Sequence, residues 1–354
     1  MSKKEKNQIP TTYTNFTAYG LTFCTEVEPS QLKPKNKTLP ITSCIVYKTI
    51  TNPNDANRVR VADGSLHKKI TLDGTPKEEL IYLDDHNLME LLSFLYLMND
   101  NNERIVAVPA SEIDTLYSPR ESLLKILMDR VPGLPKEIVH KVKKAVSYLV
   151  ENGIPLEDIG VYGGLQTFMI HFDPNLRGKA SDSAPLKDID LVIYGLKYVH
   201  GVKTLAEKNI KYKKAGKNTR VSHVSEEIRS RRHELSRIYI PNDQDGLFCD
   251  IKIVRDMDDR NLFSSEFSLT GKDIVLSGTV IDAKESLCST PVFQLLIRDI
   301  GIVTISSSKY NFIAAVSEGD VIRTRVACTT NDKYFSLSDP QSHYISYISK
   351  CKMK

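Results

Sequence analysis

The sequence predicts a multidomain α+β protein, and three observations carry that prediction. Apolar residues recur at helical spacing between Asp85 and Gly153. Short strands bearing isolated aspartates follow, from Ile159 to Val254. After Asp273 the helical pattern stops, and five strand-like runs fall within about 65 residues. At 354 residues the chain exceeds one ordinary domain. With 41% hydrophobic and 26% charged residues it has a globular composition, able to build cores without crosslinks.

The elements follow in order. Residues 1–10 are polar and are expected as a disordered tail. Residues 11–72 form a β-rich region, with runs at Leu21–Thr25, Thr42–Thr49 and Val59–Val61 between Pro- and Asn-rich links. Residues 73–155 are expected to be helical. Asp85–Met98 carries Leu88, Leu91, Leu92, Leu95 and Leu97 behind a capping aspartate. Ser118-Pro119 opens a helix over Arg120–Asp129, with proline in the first turn. Pro135–Gly153 presents Ile138, Val139, Val142, Ala145, Val146 and Leu149 on one face, and Gly153 and Pro155 stop it.

Residues 156–265 form a mixed α/β core. It has strands at Ile159–Val161, Asp188–Tyr194 and Leu247–Val254, a helix over Leu165–Phe172, and another over Ser225–Arg237. Residues 266–354 hold the five runs, Ile274–Ala283, Val292–Arg298, Ile300–Ile305, Val321–Cys328 and Tyr334–Leu337. A short helix, Tyr310–Val316, falls between the third and fourth. That pattern predicts a small closed β-barrel of the OB type.

Net charge is +4, unevenly spread. From Lys203 to Arg237 there are eleven Lys or Arg and four Glu, a local +7. Such a segment points to an anionic partner, phosphate or nucleic acid, or to a solvated helix face. No apolar run approaches the roughly 20 residues that cross a bilayer, and the N-terminus lacks an apolar targeting segment. A cytoplasmic protein without membrane contact is expected. The six cysteines form no Cys-x-x-Cys pair, which argues against structural zinc.

The chemistry-bearing residues lie in the α/β core. Gly163-Gly164 follows the strand Ile159–Val161, and Asp188 and Asp190 follow later in Asp188-Ile189-Asp190-Leu191. Asp250 sits in Phe248-Cys249-Asp250-Ile251. Side chains alternate along a strand, so Asp188 and Asp190 share a face, with Cα atoms roughly 6.6 Å apart. If the Asp250 strand is a neighbour, all three carboxylates converge. Two carboxylates about 5 Å apart repel by about 3 kcal/mol at an effective dielectric near 20. A hard divalent cation, Mg²⁺ or Mn²⁺, offsets this and also binds substrate phosphates. Two such ions clamp the attacking and leaving oxygens of a phosphoryl displacement. The glycine pair lets backbone N–H groups approach a triphosphate closely. An Asp-x-Asp alone is a weak signal; the ordered combination is much stronger.

In that combination the chain resembles the DNA polymerase β-like nucleotidyltransferase superfamily, with its glycine turn, Asp-x-Asp and third strand aspartate. More narrowly it is similar to the predicted nucleotidyltransferases of archaea. The stretches that carry this are Val108–Ile113 with Tyr117-Ser118-Pro119, Ile159–Leu165, Asp188–Gly195 and Ser277–Ala283. The likeness is strongest from about residue 106 to 195. It implies a nucleotidyltransferase core that moves an NMP from an NTP to a hydroxyl acceptor and releases pyrophosphate. Asp188, Asp190 and Asp250 would be the catalytic metal ligands. Two features depart from the pattern. Gly164 stands where serine is usual, and residues 173–185 read as an insertion between Gly164 and Asp188.

Arg231, Arg232 and Arg237, with Arg229, precede Asp250 and are candidates to grip the triphosphate bidentately. The alternative is a solvated helix face paired with Glu226, Glu227 and Glu234. Nucleic acid is a candidate partner through residues 203–237 and through the barrel, where Phe293, Phe312, Tyr334 and Phe335 could stack on bases or fill the core. The competing function is a nucleic-acid-binding protein whose transferase fold is inactive. A third is a maker of a signalling nucleotide.

Overall fold

The computed structural model describes residues 14–18, 21–24, 40–43, 45–50, 58–60, 66–71, 96–98, 104–109, 112–166, 189–208, 237–240, 247–255, 267, 269–288, 290–307, 312–337 and 342–350. It is a mixed α/β chain of two compact units, Met1–Met98 with Arg104–Val192, and Asn99–Glu103 with Ile193–Lys354. Among the described residues no helix is long and apolar enough to cross a membrane.

In the first unit, β1 (Asn15–Ala18), β2 (Leu21–Cys24), β3 (Pro40–Ser43), β4 (Ile45–Ile50), β5 (Arg58–Arg60) and β6 (Leu66–Thr71) build the β-rich region. They are followed by β7 (Tyr96–Met98), β8 (Arg104–Pro109) and β9 (Thr115–Tyr117). One sheet runs in the order β5-β6-β4-β2-β1-β9, and a smaller one in the order β3-β8-β7. The expectation of a helical region over residues 73–155 is therefore corrected at β7, β8 and β9, the last of which pairs with β1. Ile105-Val106-Ala107-Val108 is rich in β-branched residues, which favour a pleated surface, and β8 pairs with both β3 and β7. The end of the expected Asp85–Met98 helix is likewise strand from Tyr96; its residues 85–95 lie outside the described residues.

The two later helices of this region form as expected. In α1 (Pro119–Leu127), Ser118 is the N-cap, its Oγ accepting from Glu121 N, and proline fills the first turn. In α2 (Lys136–Glu151) the buried residues are Ile138, Val139, Val142, Ala145, Val146 and Leu149, the stripe that the periodicity specifies. Gly153, at φ +87°, ends it. Next come β10 (Ile159–Val161) and β11 (Ile189–Tyr194), adjacent in one sheet.

The second unit takes up the last residues of β11, then α3 (Val199–Lys208), β12 (Arg237–Ile240) and β13 (Leu247–Val254). Here the order is β11 end, β13, β12, with Gly195 N donating to Val254 O. Helix α3 is absent from the sequence expectation. Its buried Val199, Val202, Leu205 and Ala206 are diluted by the surrounding charges. The expected helix Ser225–Arg237 lies outside the described residues up to 236, and Arg237 begins a strand.

The barrel is present. Its strands are β14 (Leu269–Asp282), β15 (Val292–Ile297), β16 (Gly301–Ser306), β17 (Asp320–Thr329) and β18 (Tyr334–Ser336). They close in the ring β14-β15-β16-β18-β17-β14, antiparallel except for β16–β18, which is parallel. A sixth strand, β19 (Tyr344–Lys350), adds to β17. Its apolar Ile345 and Ile348 lie three apart, which hides a strand from a period-two reading. The core includes Val280, Leu295, Val303, Ile305, Ile322, Val326 and Leu337. Phe293, Phe312, Tyr334 and Phe335 are also buried, so the barrel uses these rings to fill itself and not as stacking platforms.

Candidate functional site

In the first unit the glycine turn is built against Asp190. All three residues of β10 are buried. Gly160 sits where a Cβ would come within 2.7 Å of Pro119 Cβ and 2.9 Å of Val192 Cγ1, so the start of α1 and β11 press on this strand from two sides. Tyr162 N then donates to Asp190 O at 3.1 Å. Gly163 follows at φ +65°, left-handed backbone that glycine adopts without steric cost. A Cβ there would strike Asp190 Oδ2. Residues 164–166 turn into a helix. The fully buried Gln166 ties this turn down, donating from Nε2 to Tyr117 O at 2.6 Å and to Ser122 Oγ at 3.5 Å.

Asp190 is the half-buried member of β11, between the buried Ile189 and Leu191. Its side chain therefore lies on the glycine-turn side of the strand. Asp188, its expected partner, lies outside the described residues, as do Arg231, Arg232 and the 173–185 insertion. Tyr117 and Ser122 also line a cavity of about 230 Å³ with Glu121, Lys125 and Arg130. Burial pushes the Tyr117 phenol above its ordinary pKa of 10.0, and a hydrogen bond with Thr115 opposes that in part.

In the second unit Asp250 and Arg237 are directly cross-strand on β13 and β12. Arg237 Nε donates to Asp250 Oδ1 at 2.7 Å and Nη2 donates to Oδ2 at 3.4 Å, a forked pair. Both side chains are partly exposed, 29% and 19%. Two residues along the ladder, the Tyr239 and Phe248 rings meet at 5.0 Å. The sequence offers Arg237 as a triphosphate ligand and Asp250 as a metal ligand with nothing to link the two. Each strand was legible, but the register that pairs them was not. Arg237 thus compensates the charge of Asp250 across the ladder.

Among the described residues no group of three His, Cys, Asp or Glu side chains is placed to hold a metal ion. Asp190 and Asp250 each offer the hard oxygens that Mg²⁺ takes, and the Gly163 turn leaves room for only a backbone beside Asp190. No family model matches the chain, and neither a curated protein nor a solved structure matches it.

Proposed function

We propose that this chain is a metal-dependent nucleotidyltransferase of the DNA polymerase β-like type, carrying an OB-type barrel at its C-terminal end. The observation that supports it most is the left-handed Gly163 turn seated on Asp190 by the Tyr162–Asp190 hydrogen bond. A glycine turn at a strand end lets backbone N–H groups approach phosphate oxygens closely, and a carboxylate beside it can hold the cation that accompanies a triphosphate.

In this reading the N–H groups of Gly163 and Gly164 cradle the NTP phosphates. Asp188, Asp190 and Asp250 are the candidate ligands for Mg²⁺ or Mn²⁺, and Arg231, Arg232 and Arg237 are the candidates to neutralise the triphosphate. A bound divalent cation would supply charge neutralisation at the α-phosphate and would lower the pKa of the attacking hydroxyl. The acceptor oxygen bonds to the α-phosphorus, the bond to the β-phosphate oxygen breaks, and pyrophosphate leaves with the electron pair. Asp250 sits as base-side carboxylate for the hydroxyl proton. Arg237, already on Asp250, holds that carboxylate in place on β13 and exchanges toward phosphate when substrate arrives.

The Arg237–Asp250 pair also favours a second reading, a nucleic-acid-binding protein with an inactive transferase fold, because a carboxylate satisfied by arginine needs no cation. One experiment separates them. The protein is incubated with each NTP labelled on the α-phosphate, with Mg²⁺ or Mn²⁺, and with RNA, DNA or protein acceptors. Label transfer is expected from the native chain and is lost in Asp188→Asn/Asp190→Asn, whose Tm stays equal or rises as repulsion is relieved. Transfer that persists undiminished in that variant, or its failure in the native chain with every acceptor, rejects the transferase reading.

A further inference from the structure

Two outward faces of the barrel differ in charge, although each exposes apolar side chains, Val275 and Ile348 on one and Leu296 and Ile302 on the other. Across β14, β17 and β19 the ladders align two outward rows, Val275–Arg325–Tyr344 and Ser277–Arg323–Ser346. Their sequence neighbours Leu276, Ile322, Thr324, Val326 and Ile345 are all buried, which fixes the direction of the alternation. Neither row contains a carboxylate. Asp273, one row further along β14, pairs with Arg325 at 3.2 Å and also meets His343 Nε2 at 3.2 Å, so it offsets part of that arginine's charge, while the Arg325 side chain remains 45% exposed. On β15 and β16 the outward pair is Leu296 opposite Ile302, apolar and about half exposed, with no cation in that row.

We propose that the β14–β17–β19 face binds single-stranded nucleic acid. Arg323 and Arg325 are two residues apart on one strand, about 6.6 Å, a step that suits successive phosphates of an extended chain. Tyr344, beside Arg325, offers a ring on which a base stacks, and stacking on aromatic residues along a basic track is how such surfaces hold single strands. Ser277 and Ser346 flank Arg323 with short hydroxyl donors, which leave the guanidinium accessible and add contacts to phosphate or sugar. A duplex is the poorer fit: its major groove admits a helix or a two-stranded ribbon, whereas this face is three strands wide. The assignment owes nothing to the Gly163–Asp190 turn and does not depend on transferase activity.

The test is fluorescence anisotropy on the full chain, without NTP. The probe is a labelled oligothymidylate or oligouridylate of about 20 nucleotides, longer than one barrel's site. The titration is repeated over a series of salt concentrations. Arg323→Gln/Arg325→Gln is expected to weaken binding at least tenfold and to flatten the slope of log affinity against log salt by about 1.4, about 0.7 for each lost phosphate contact. Arg323→Gln alone, which leaves the Asp273 contacts intact, is expected to flatten it by about 0.7. Tyr344→Leu weakens binding about fivefold or more with the slope unchanged. Leu296→Gln, on the other face, changes neither. Absence of binding by the native chain, equal affinity and slope in the arginine variants, or equal affinity for a duplex of the same length overturns the proposal. Because Asp188→Asn/Asp190→Asn retains both arginines, it is expected to bind like the native chain, which separates this proposal's failure from that of the transferase reading.

Discussion

At the scale of single residues, Gly163 is where backbone conformation and side-chain chemistry meet. Its φ of +65° costs a non-glycine residue about 1–2 kcal/mol. A methyl group there would also strike the Asp190 carboxylate. Gly153 makes a useful comparison, since it has φ +87° but nothing within 4 Å of an added Cβ. Gly153→Ala is expected to lose only the backbone cost, whereas Gly163→Ala loses that cost and displaces Asp190 as well. Urea unfolding of the two variants, with Mg²⁺·NTP binding measured alongside, checks this. Equal destabilisation with nucleotide affinity unaffected by Gly163→Ala would show that the turn merely connects two elements. This turn was legible in the sequence because a strand, two glycines and an alternating acidic strand are local patterns. The Arg237–Asp250 pair was not, since its register depends on the connection between β12 and β13.

At the scale of elements, legibility followed the amount of repeated pattern. Helix α2 spans four turns, and its apolar stripe was specified in full. Four of the five barrel strands run to six residues or more and alternate long enough to stand out, and β18 follows a clear Asn331-Asp332 turn, while β7 and β9 have three residues each and carry too little pattern to compete with a helical reading. Strand β14 adds a constraint that no periodicity reveals. At Gly278 an added Cβ would lie 2.6 Å from Leu296 O and 3.2 Å from Leu296 C. Both obstacles are backbone, and they belong to β15, the strand paired with β14 at Thr279–Leu296. Gly278→Ala must therefore push two strands of a closed ring apart, at about 1–3 kcal/mol. Gly201→Ala is the matched contrast: Gly201 lies in α3 with open space around it, and alanine there is expected to add about 0.5–1 kcal/mol of stability. Opposite signs in urea midpoints are the expected result. A neutral Gly278→Ala would mean that the ring yields at this corner.

At the scale of the molecule, the second unit joins the strand that carries Asp250 to the barrel through a buried polar lock. Arg255 follows β13 directly. Its Nε donates to Glu285 Oε2 at 2.9 Å, and its Nη2 reaches the same oxygen. Nη1 donates to Thr290 Oγ1 at 2.5 Å and Nη2 to Thr290 O at 3.0 Å. Glu285 and Thr290 belong to the β14–β15 connection, and Ile253 and Cys288 form a parallel bridge alongside. Arg255 and Glu285 are both 8% exposed. Their burial makes the loss of one partner far costlier than the loss of both. Arg255→Met and Glu285→Leu are each expected to destabilise the chain by about 3–5 kcal/mol, and the double variant by less than either single change. A double-mutant cycle in urea measures the coupling, and strictly additive effects would show that the two side chains act separately. The lock also bears on function. In the transferase reading, a nucleic-acid strand held on the barrel is positioned relative to β13, and so to Asp250, in part by the Arg255–Glu285 pair. If the barrel presents the acceptor, Glu285→Leu will therefore lower label transfer to nucleic acid more than it lowers oligonucleotide binding.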